Sequence, residues 1–382
     1  MDAHALYPPF SPPEGLRRIG AGAGAGAGAD EIERLERNQG SMPAVTLNDV
    51  AIAAGVSVGT ASRAMTGRGR VSLETILHVR AVASGLGYKP NVIGQALRRG
   101  SSNTVGMVVP HIENPFFAEL IRAVESGLHE KGYQLIVADS HASTEAEEQR
   151  LGLLLARQVD GILVVPACYG QSAAAIAATA GEVPLVQLDR RAGEDTADYV
   201  GVDNRAGMTL IAEHLAAQGV RTVQFVGGDD ATTPGTERAE AFQETAGAVG
   251  LDLVGSYRHQ FTYETGTQAM SIQDPIPDAI VCGDDLIALG AYGQLRREGV
   301  DVPRQTKVTG FDGTVLSTIV EPSLTTIKQP LEQISSAAIE ALVHRIHGDI
   351  PSIFVNKQFK PRLQVGGTTA LLPGNSADPC DE

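Results

Sequence analysis

The sequence contains no tryptophan and only three cysteines, which are Cys168, Cys282 and Cys380. An odd number of scattered cysteines fits neither a disulfide framework nor a zinc site, so we expect free thiols and no metal or cofactor. No apolar run reaches the roughly 18 residues that a membrane span needs. The N-terminus also lacks the basic and then apolar pattern of a secretory signal, which predicts a cytoplasmic protein without a membrane partner.

Signatures of enzymes are also scarce. The sequence has no phosphate-binding P-loop and no H-E-x-x-H zinc motif. Asp284 and Asp285 are adjacent, but neighbouring residues on a helix point about 100° apart and cannot flank one scissile bond. We therefore expect no catalytic residues and a protein that is not an enzyme.

Charge is distributed unevenly along the chain. The formal net charge is −15. Residues 42–103 nevertheless carry seven arginines and lysines against two acidic residues, which gives this segment a charge of about +5. A basic head on an acidic body confines attraction for phosphates to one end of the chain, and double-stranded DNA is the expected partner.

The first 90 residues divide into a tail and a helical head. Residues 1–43 combine prolines with an alternating Gly/Ala run, which predicts a disordered low-complexity tail. Residues 44–90 predict three short helices with N-caps at Thr46, Ser57 and Ser72, and Gly55 supplies a tight turn. This pattern is typical of a helix-turn-helix DNA-binding domain, although a small helical bundle that does not bind DNA would also fit it.

The predicted second helix of the head carries side chains suited to a major groove. Hydroxyl groups there can donate hydrogen bonds to phosphates, and Arg63 can reach a phosphate or a guanine. Val58 and Gly59 offer no hydrogen bonds and would read thymine methyl groups or groove shape. The residues predicted to contact DNA in this head are Thr46, Ser57, Val58, Gly59, Thr60, Ser62, Arg63 and Arg70.

From residue 104 onward, apolar strand candidates alternate with amphipathic helices. Pro115–Glu130 and Thr144–Gln158 are predicted helices. The predicted strands are Thr104–Pro110, Tyr133–Asp139, Asp160–Val165, Val183–Leu188, Thr222–Gly227, Ala279–Cys282, Lys307–Phe311 and Leu324–Ile327. Continuous apolar strands between helices indicate parallel sheets covered on both faces. Residues 104–371 exceed one doubly wound domain, so we expect two α/β lobes with a cleft between them, followed by a flexible tail at 372–382.

Several strings of the sequence resemble one family. They are TLNDVAIAAGVSVGTASRAM, VSLETILHVRAVASGLGYKPN, NVIGQALRRGSSNTVGMVVPHIENPFF, VDGILVVP, LVQLDRR, YVGVDN, VTGFDG and EPSLTTIKQP. In this order and spacing they resemble the LacI/GalR family of transcriptional regulators over residues 44–371. The resemblance implies a periplasmic-binding-protein-like body that dimerises and binds a small, sugar-like effector between its lobes. It also implies a repressor whose homodimer binds a pseudo-palindromic operator; a solute-binding sensor without operator binding is the alternative.

The resemblance places a hinge helix and linker at residues 91–103. Asn91 and Arg98 are expected at the DNA, and Leu97 falls where the family wedges a leucine into the minor groove. Without the resemblance, Leu97 reads as a core residue of a linker helix. Gly94 stands where alanine is more common in the family and lowers helix propensity by about 1 kcal/mol.

Eight residues fall on effector-pocket positions of the family: Asn114, Phe116, Asp189, Arg190, Arg238, Phe261, Asp284 and Asp312. Charged groups such as Arg238 and Asp312 can form charge-assisted hydrogen bonds with a polyol, and Phe116 or Phe261 can cover an apolar sugar face.

Each pocket assignment has a structural alternative. Phe116 and Phe117 can pack in the core, and Asp284 can cap a helix. Asp189 and Arg190 can form a surface pair, and residues 203–204 can form a turn. Asp284 and Gly313 differ from the asparagine and the acidic residue common in the family, so the effector is not named.

Overall fold

The computed structural model describes residues 45–67, 69–89, 101–193, 197–271, 275–348 and 354–370. The chain divides into two compact units, Met1–Asn91 and Val92–Glu382. The predicted tails and the predicted hinge contacts Asn91, Leu97 and Arg98 lie outside the described residues. Within the described ranges, no helix is both long enough and apolar enough to cross a lipid bilayer.

The described part of the first unit contains three helices, which are α1 (Leu47–Ala53), α2 (Val58–Thr66) and α3 (Leu73–Gly85). All three predicted N-caps are confirmed, since the side chains of Thr46, Ser57 and Ser72 each accept a backbone N–H three residues on. Thr46 forms a full capping box with Asp49, whose carboxylate accepts from the Thr46 N–H at 2.8 Å. These bonds satisfy donors that a helix start otherwise leaves open.

The turn between α1 and α2 depends on Gly55, whose φ of 65° lies in the left-handed region. Residues 55–59 also have the G-x-S-x-G spacing of a hydrolase nucleophile elbow. That motif requires a strand before the serine, whereas Ser57 here follows a helix and caps the next one. The local structure is therefore a helix-turn-helix and not a nucleophile elbow.

The second unit contains two lobes, each built on a six-stranded sheet. The first lobe comprises β1 (Thr104–Val109), α4 (Pro115–Glu130), β2 (Gln134–Asp139), α5 (Thr144–Ala156), β3 (Gly161–Val164), α6 (Ala173–Ala180), β4 (Leu185–Leu188), β5 (Asp198–Val202), α12 (Leu331–Ile346) and β11 (Asn356–Phe359). The strand order is β11-β5-β4-β3-β1-β2, and every pairing is parallel.

The second lobe repeats this design. It comprises α7 (Asn204–Ala217), β6 (Thr222–Gly228), α8 (Thr233–Ala248), β7 (Asp252–His259), α9 (Tyr263–Ser271), β8 (Ala279–Cys282), α10 (Asp285–Arg297), β9 (Lys307–Asp312), α11 (Leu316–Ile319), β10 (Thr325–Lys328) and β12 (Arg362–Gln364). The strand order is β12-β10-β9-β8-β6-β7. The chain passes between the lobes three times: after β5, after β10, and between β11 and β12.

The predicted two-lobed α/β fold class is confirmed, with local differences. The helix predicted at Pro115–Glu130 has these same bounds in the structure. Strands β5, β7, β11 and β12 were not predicted as strands. Strand β7 alternates exposed and half-buried residues at a sheet edge and therefore lacks a continuous apolar run. Strand β12 pairs antiparallel with β10, so the second sheet is mixed rather than wholly parallel.

Helices α9 and α10 approach each other through glycines. A Cβ atom on Gly266 would lie well under 3.0 Å from the backbone oxygen of Ile287, and one on Gly290 would meet the backbone of Tyr263 in the same way. Backbone atoms cannot rotate aside as side chains can. The close packing of this helix pair therefore requires glycine at both positions.

We predict that Gly266→Ala lowers the free energy of unfolding by about 3 kcal/mol, because the added methyl group forces the two helices apart. Gly247→Ala is the matched control, since Gly247 also lies in a helix but a Cβ atom there would meet no neighbouring atom within 4 Å. The control should be neutral or stabilising by about 0.5–1 kcal/mol through helix propensity. Urea unfolding of both variants measures the difference, and equal effects would contradict the packing argument.

Candidate functional site

A small cavity lies where the carboxyl ends of the strands of the two lobes face each other. Open α/β sheets place their ligand contacts at this edge. Ten of the described residues line the cavity, five from each lobe: Asn114, Phe116, Phe117, Asp189, Arg190, Pro234, Arg238, Phe261, Asp284 and Asp312. The structure thus brings together all eight residues that the sequence assigned to an effector pocket, and adds Phe117 and Pro234.

The first lobe contributes an amide, two aromatic rings and an ion pair. Asn114 caps α4 by accepting the N–H of Phe116 at 3.0 Å, so its side chain is fixed at the cavity edge. Phe116 and Phe117 meet edge to face, with ring centroids 5.1 Å apart. The Arg190 guanidinium lies 5.6 Å from the Phe117 ring centroid. Phe117 is almost fully buried, so it packs in the core as its structural alternative predicted, and it also lines the cavity.

The second lobe holds Arg238 in a fixed position. Its Nε donates to Asn204 Oδ1 at 2.8 Å, and Nη1 donates to the backbone oxygen of Gly283 at 2.7 Å. Nη1 also lies 3.5 Å from Asp312 Oδ1, and the guanidinium carbon sits 3.7 Å from the centroid of the Phe311 ring. These contacts hold the Arg238 side chain in one conformation, so it is preorganised for a ligand.

The cavity concentrates buried charge. Asp189, Arg190, Arg238, Asp284 and Asp312 are each at most 6 % exposed. Burial raises the pKa of Asp284 to about 6, even though hydrogen bonds from the helix start and nearby Arg238 oppose it. Burial likewise raises the pKa of Asp312 well above its ordinary range, with Arg238 acting in the opposite direction. An ionised carboxylate in this cavity therefore destabilises the folded protein unless a hydrogen-bond donor is paired with it.

Two buried polar atoms of the cavity wall have no hydrogen-bond partner among the described residues. They are Asp189 Oδ1, an acceptor, and Arg190 Nε, a donor, although Arg190 Nε lies 3.9 Å from Asp189 Oδ2. An unmet acceptor beside an unmet donor suits a hydroxyl group, which both donates and accepts. The backbone is also strained here, since Asp189 and Asp312 have φ values of 59° and 102°. Such strain clusters at ligand sites.

Direct contacts join the lobes around this cavity. The Tyr169 N–H donates to the Ala231 oxygen at 2.7 Å, and Arg191 pairs with Glu237 at 2.6 Å. Elsewhere, the Val315 N–H donates to the carboxylate of Glu119 at 2.8 Å. Hydrogen bonds between residues of the two lobes therefore hold the lobes together, in addition to any contact that a ligand makes.

Several alternatives left open by the sequence are now decided. Asp284 caps α10 by accepting the Ile287 N–H at 2.7 Å and lines the cavity at the same time. A surface location for the Asp189–Arg190 pair is wrong, because both residues are buried. A turn at residues 203–204 is also wrong, because Asp203 caps α7 and Asn204 begins it.

Asp285 points away from the cavity. Its carboxylate accepts hydrogen bonds from the backbone and hydroxyl of Thr314 and from the hydroxyl of Thr326. It therefore ties α10 to the segment after β9 and to β10. Among the described residues, no group of three or more His, Cys, Asp or Glu side chains is arranged to hold a metal ion.

In the helical head, the structure exposes most of the predicted DNA contacts. Ser57, Val58, Gly59, Arg63 and Arg70 are exposed, and Thr60 and Ser62 are partly exposed. Thr46 is exposed but engaged in the capping box. The hydroxyls of Ser57 and Thr60 lie 2.9 Å apart, and Arg63 Nη2 reaches Thr60 Oγ1 at 3.4 Å. The start of α2 thus presents hydroxyls, a guanidinium and little bulk on one surface.

Two further residues at the cavity were not predicted from the sequence. Asn204 and Glu237 stand behind Arg238, and Asn204 Nδ2 donates to Glu237 Oε2 at 2.7 Å. The sequence signal for Asn204 was its place in YVGVDN, at the end of β5. Glu237 had no signal of its own apart from its adjacency to Arg238.

We predict that Asp284→Asn raises the free energy of unfolding by roughly 3 kcal/mol at pH 8, because the amide keeps an oxygen for the helix cap and removes a buried charge. The folded-state pKa is about 6 against an ordinary 3.8. The penalty in the native chain is thus complete above pH 6 and vanishes below pH 4. Urea unfolding at several pH values measures it, and a pH-independent difference between the two proteins would contradict the raised pKa.

Two family models match the chain. Residues 46–91 match the model described as bacterial regulatory proteins, lacI family, and residues 212–369 match a periplasmic binding protein-like domain. The transcriptional regulator reg1 of Streptomyces lividans is 32% identical over 345 residues, which cover 87% of this chain and 99% of the relative.

Solved structures give the same result. A lac repressor dimer bound to operator and the anti-inducer ONPF is similar with a TM-score of 0.78 and 25% identity, over 86% of this chain and 100% of that one. The transcriptional regulator CelR in complex with cellobiose is similar with a TM-score of 0.64 and 29% identity, over 85% of this chain and 99% of that one. The capped helix-turn-helix, the two lobes and these likenesses agree, and the chain belongs to the LacI family of bacterial transcriptional regulators.

Proposed function

We propose that this protein is a repressor whose homodimer binds a pseudo-palindromic operator, with an affinity set by a small polyhydroxylated effector in the interlobe cavity. One observation carries the proposal: five charged side chains from both lobes converge on one buried cavity, in a chain that also has a helix-turn-helix head. A bacterial transcriptional regulator works in the cytoplasm, because the chromosome lies there.

In this proposal the domains keep the predicted bounds. Residues 44–90 form the DNA-binding domain, residues 91–103 the hinge and linker, and residues 104–371 the effector-binding and dimerisation domain. The start of α2 enters the major groove, where Arg63 contacts a base or phosphate and Val58 and Gly59 read shape. Leu97 of the hinge wedges into the minor groove, and Asn91 and Arg98 contact the DNA backbone.

The chemistry of the cavity favours a polyol as the effector. Asp189, Asp284 and Asp312 supply acceptors, and Arg190, Arg238 and the Asn114 amide supply donors. Each hydroxyl of a sugar can satisfy one acceptor and one donor, whereas an alkane would leave these groups unpaired at a cost of about 1–3 kcal/mol each. Phe116 and Phe261 supply apolar faces for the sugar ring. The likeness to a regulator solved with cellobiose supports this class of ligand.

The proposed response follows from the two lobes. A ligand that contacts both lobes at once favours one arrangement of the lobes over another. The proposed hinge precedes the first lobe, so this rearrangement changes the position of the hinge. Because such coupling is reciprocal, operator binding must alter effector affinity by the same factor. No catalytic step enters the proposal, since Asp284 and Asp285 diverge to different surroundings.

A solute-binding sensor without operator binding is the rival function. It shares the cavity and differs only in the head. DNA binding by the full chain therefore separates the two functions.

For the head, we predict that Arg63→Ala weakens binding to DNA selected by the native protein from a random pool by about tenfold or more. Binding to a scrambled duplex of equal length should fall much less, because that binding depends on overall charge. Arg80→Ala is the matched control, since Arg80 is an exposed arginine on α3 outside the predicted contacts. Fluorescence anisotropy gives both affinities. Equal losses on the two duplexes would remove Arg63 from sequence reading, and no selection at all by the native chain would favour the rival function.

For the cavity, we predict that Asp312→Asn abolishes the rise in melting temperature given by whichever of D-ribose, D-xylose, D-glucose or D-galactose stabilises the native protein. Losing a charge-assisted hydrogen bond should weaken sugar binding about tenfold to a hundredfold. Asp301→Asn is the control, because Asp301 lies in the same lobe but pairs with Arg304 at the surface. An undiminished shift in Asp312→Asn would place Asp312 outside the binding site.

A further inference from the structure

A chain of hydrogen bonds leads from the cavity into the opposite lobe. Arg238 Nε donates to Asn204 Oδ1 at 2.8 Å, and Asn204 Nδ2 donates to Glu237 Oε2 at 2.7 Å. Glu237 Oε1 then accepts from Arg191 Nη2 at 2.6 Å. Arg238, Asn204 and Glu237 belong to the second lobe, whereas Arg191 follows β4 of the first. Three consecutive bonds therefore connect a cavity arginine to the other lobe.

The middle of this chain fixes the orientation of an amide. Asn204 is 2 % exposed, so water does not compete for its hydrogen bonds. Its oxygen must face the Arg238 donor and its NH₂ group must face the Glu237 acceptor, because the flipped amide would place donor against donor at Arg238. The carboxylate of Glu237 and the guanidinium of Arg238 thus fix the Asn204 amide together, one at each end.

The far end of the chain returns to the cavity. The Arg191 guanidinium lies 5.2 Å from the centroid of the Tyr199 ring, and the Tyr199 hydroxyl donates to the backbone oxygen of Asp189 at 3.2 Å. The Arg191 N–H also donates to Thr233 Oγ1 across the lobes at 3.1 Å. Arg191 is therefore anchored in the segment that carries Asp189 and Arg190, two cavity residues of the first lobe.

We propose that Glu237 is a positioning residue that couples the occupancy of the cavity to the contact between the lobes. One carboxylate oxygen orients Asn204 and, through it, Arg238; the other holds the first lobe through Arg191. A ligand that moves Arg238 changes the hold on Arg191, and separation of the lobes loosens Arg238 in return. The ligand part of this coupling rests on the proposed function, whereas the hydrogen-bond chain does not.

Hydrogen exchange measured by mass spectrometry on the full chain, without DNA or sugar, tests the chain of bonds. The reporter is the Tyr169 amide, which donates to the Ala231 oxygen across the lobes. Glu237→Gln leaves one acceptor oxygen for two donors, so one link is lost. We expect Tyr169 exchange to rise about fivefold or more. Amides inside β6 should keep their native rates.

Glu244→Gln is the matched control. Glu244 pairs with Arg205 and joins the same two helices, α7 and α8, but at an exposed position away from the cavity. Exchange at Tyr169 should stay at the native rate in this variant. Arg191→Met breaks the chain from the first lobe and should reproduce the rise, which keeps the test decisive should Glu237→Gln fold poorly.

Asn204→Ala separates coupling from a simple ion pair. It leaves Arg191 and Glu237 in contact but disconnects both from Arg238, and we expect Tyr169 exchange to rise about twofold or more. A native Tyr169 exchange rate in Asn204→Ala together with a rise in Glu237→Gln would mean that Glu237 holds the lobes together through Arg191 alone, without coupling to Arg238. That result would overturn the proposal. No rise in Glu237→Gln, or a uniform rise throughout the second lobe, would overturn it too. Loss of the proposed sugar binding would leave these exchange results unchanged, so the two failures are distinguishable.

Discussion

Placing two guanidinium groups and three carboxyl groups, all buried, around one cavity is the constraint on which the body of this protein depends. An isolated buried charge is too costly to keep, so each group must lie near an opposite charge or take part in a fixed hydrogen bond. Arg238 shows how this is met: it bonds to Asn204, to the Gly283 oxygen and to Asp312 at once. The charges of the two lobes also act on one another, since Arg238 opposes the rise in the pKa of Asp189 and Arg190 opposes the rise in the pKa of Asp284.

The same constraint explains where strain and instability are concentrated. Asp189 and Asp312 both adopt backbone conformations that side chains rarely take, at the ends of β4 and β9. Asp284 caps a helix at the expense of a raised pKa. A protein selected only for stability would have replaced such groups, so their presence is consistent with a site kept for a polar ligand.

The sequence predicted features that are local and features carried by the resemblance. Helix caps at Thr46, Ser57 and Ser72 could be predicted because capping depends on residues three positions apart. Five of the eight cavity residues could be assigned because they lie within strings typical of the family: Asn114, Phe116, Asp189, Arg190 and Asp312. Arg238, Phe261 and Asp284 lie outside these strings and could be assigned only through the alignment that the resemblance provides. Strand β7 escaped prediction because its residues alternate between exposed and half-buried positions and form no continuous apolar run. The bond between Asn204 and Glu237 escaped it because 33 positions separate them and only the folded lobe brings them together.

The passage of the chain three times between the lobes has a consequence for biosynthesis. The first lobe takes its edge strand β11 and its helix α12 from residues 331–359, which the ribosome makes after strands β6 to β10 of the second lobe. In α12 alone, Ile334, Ala338 and Leu342 are fully or almost fully buried. The first lobe therefore begins before the second but cannot close until most of the second has been made, and its apolar surface stays uncovered until residues 331–359 emerge.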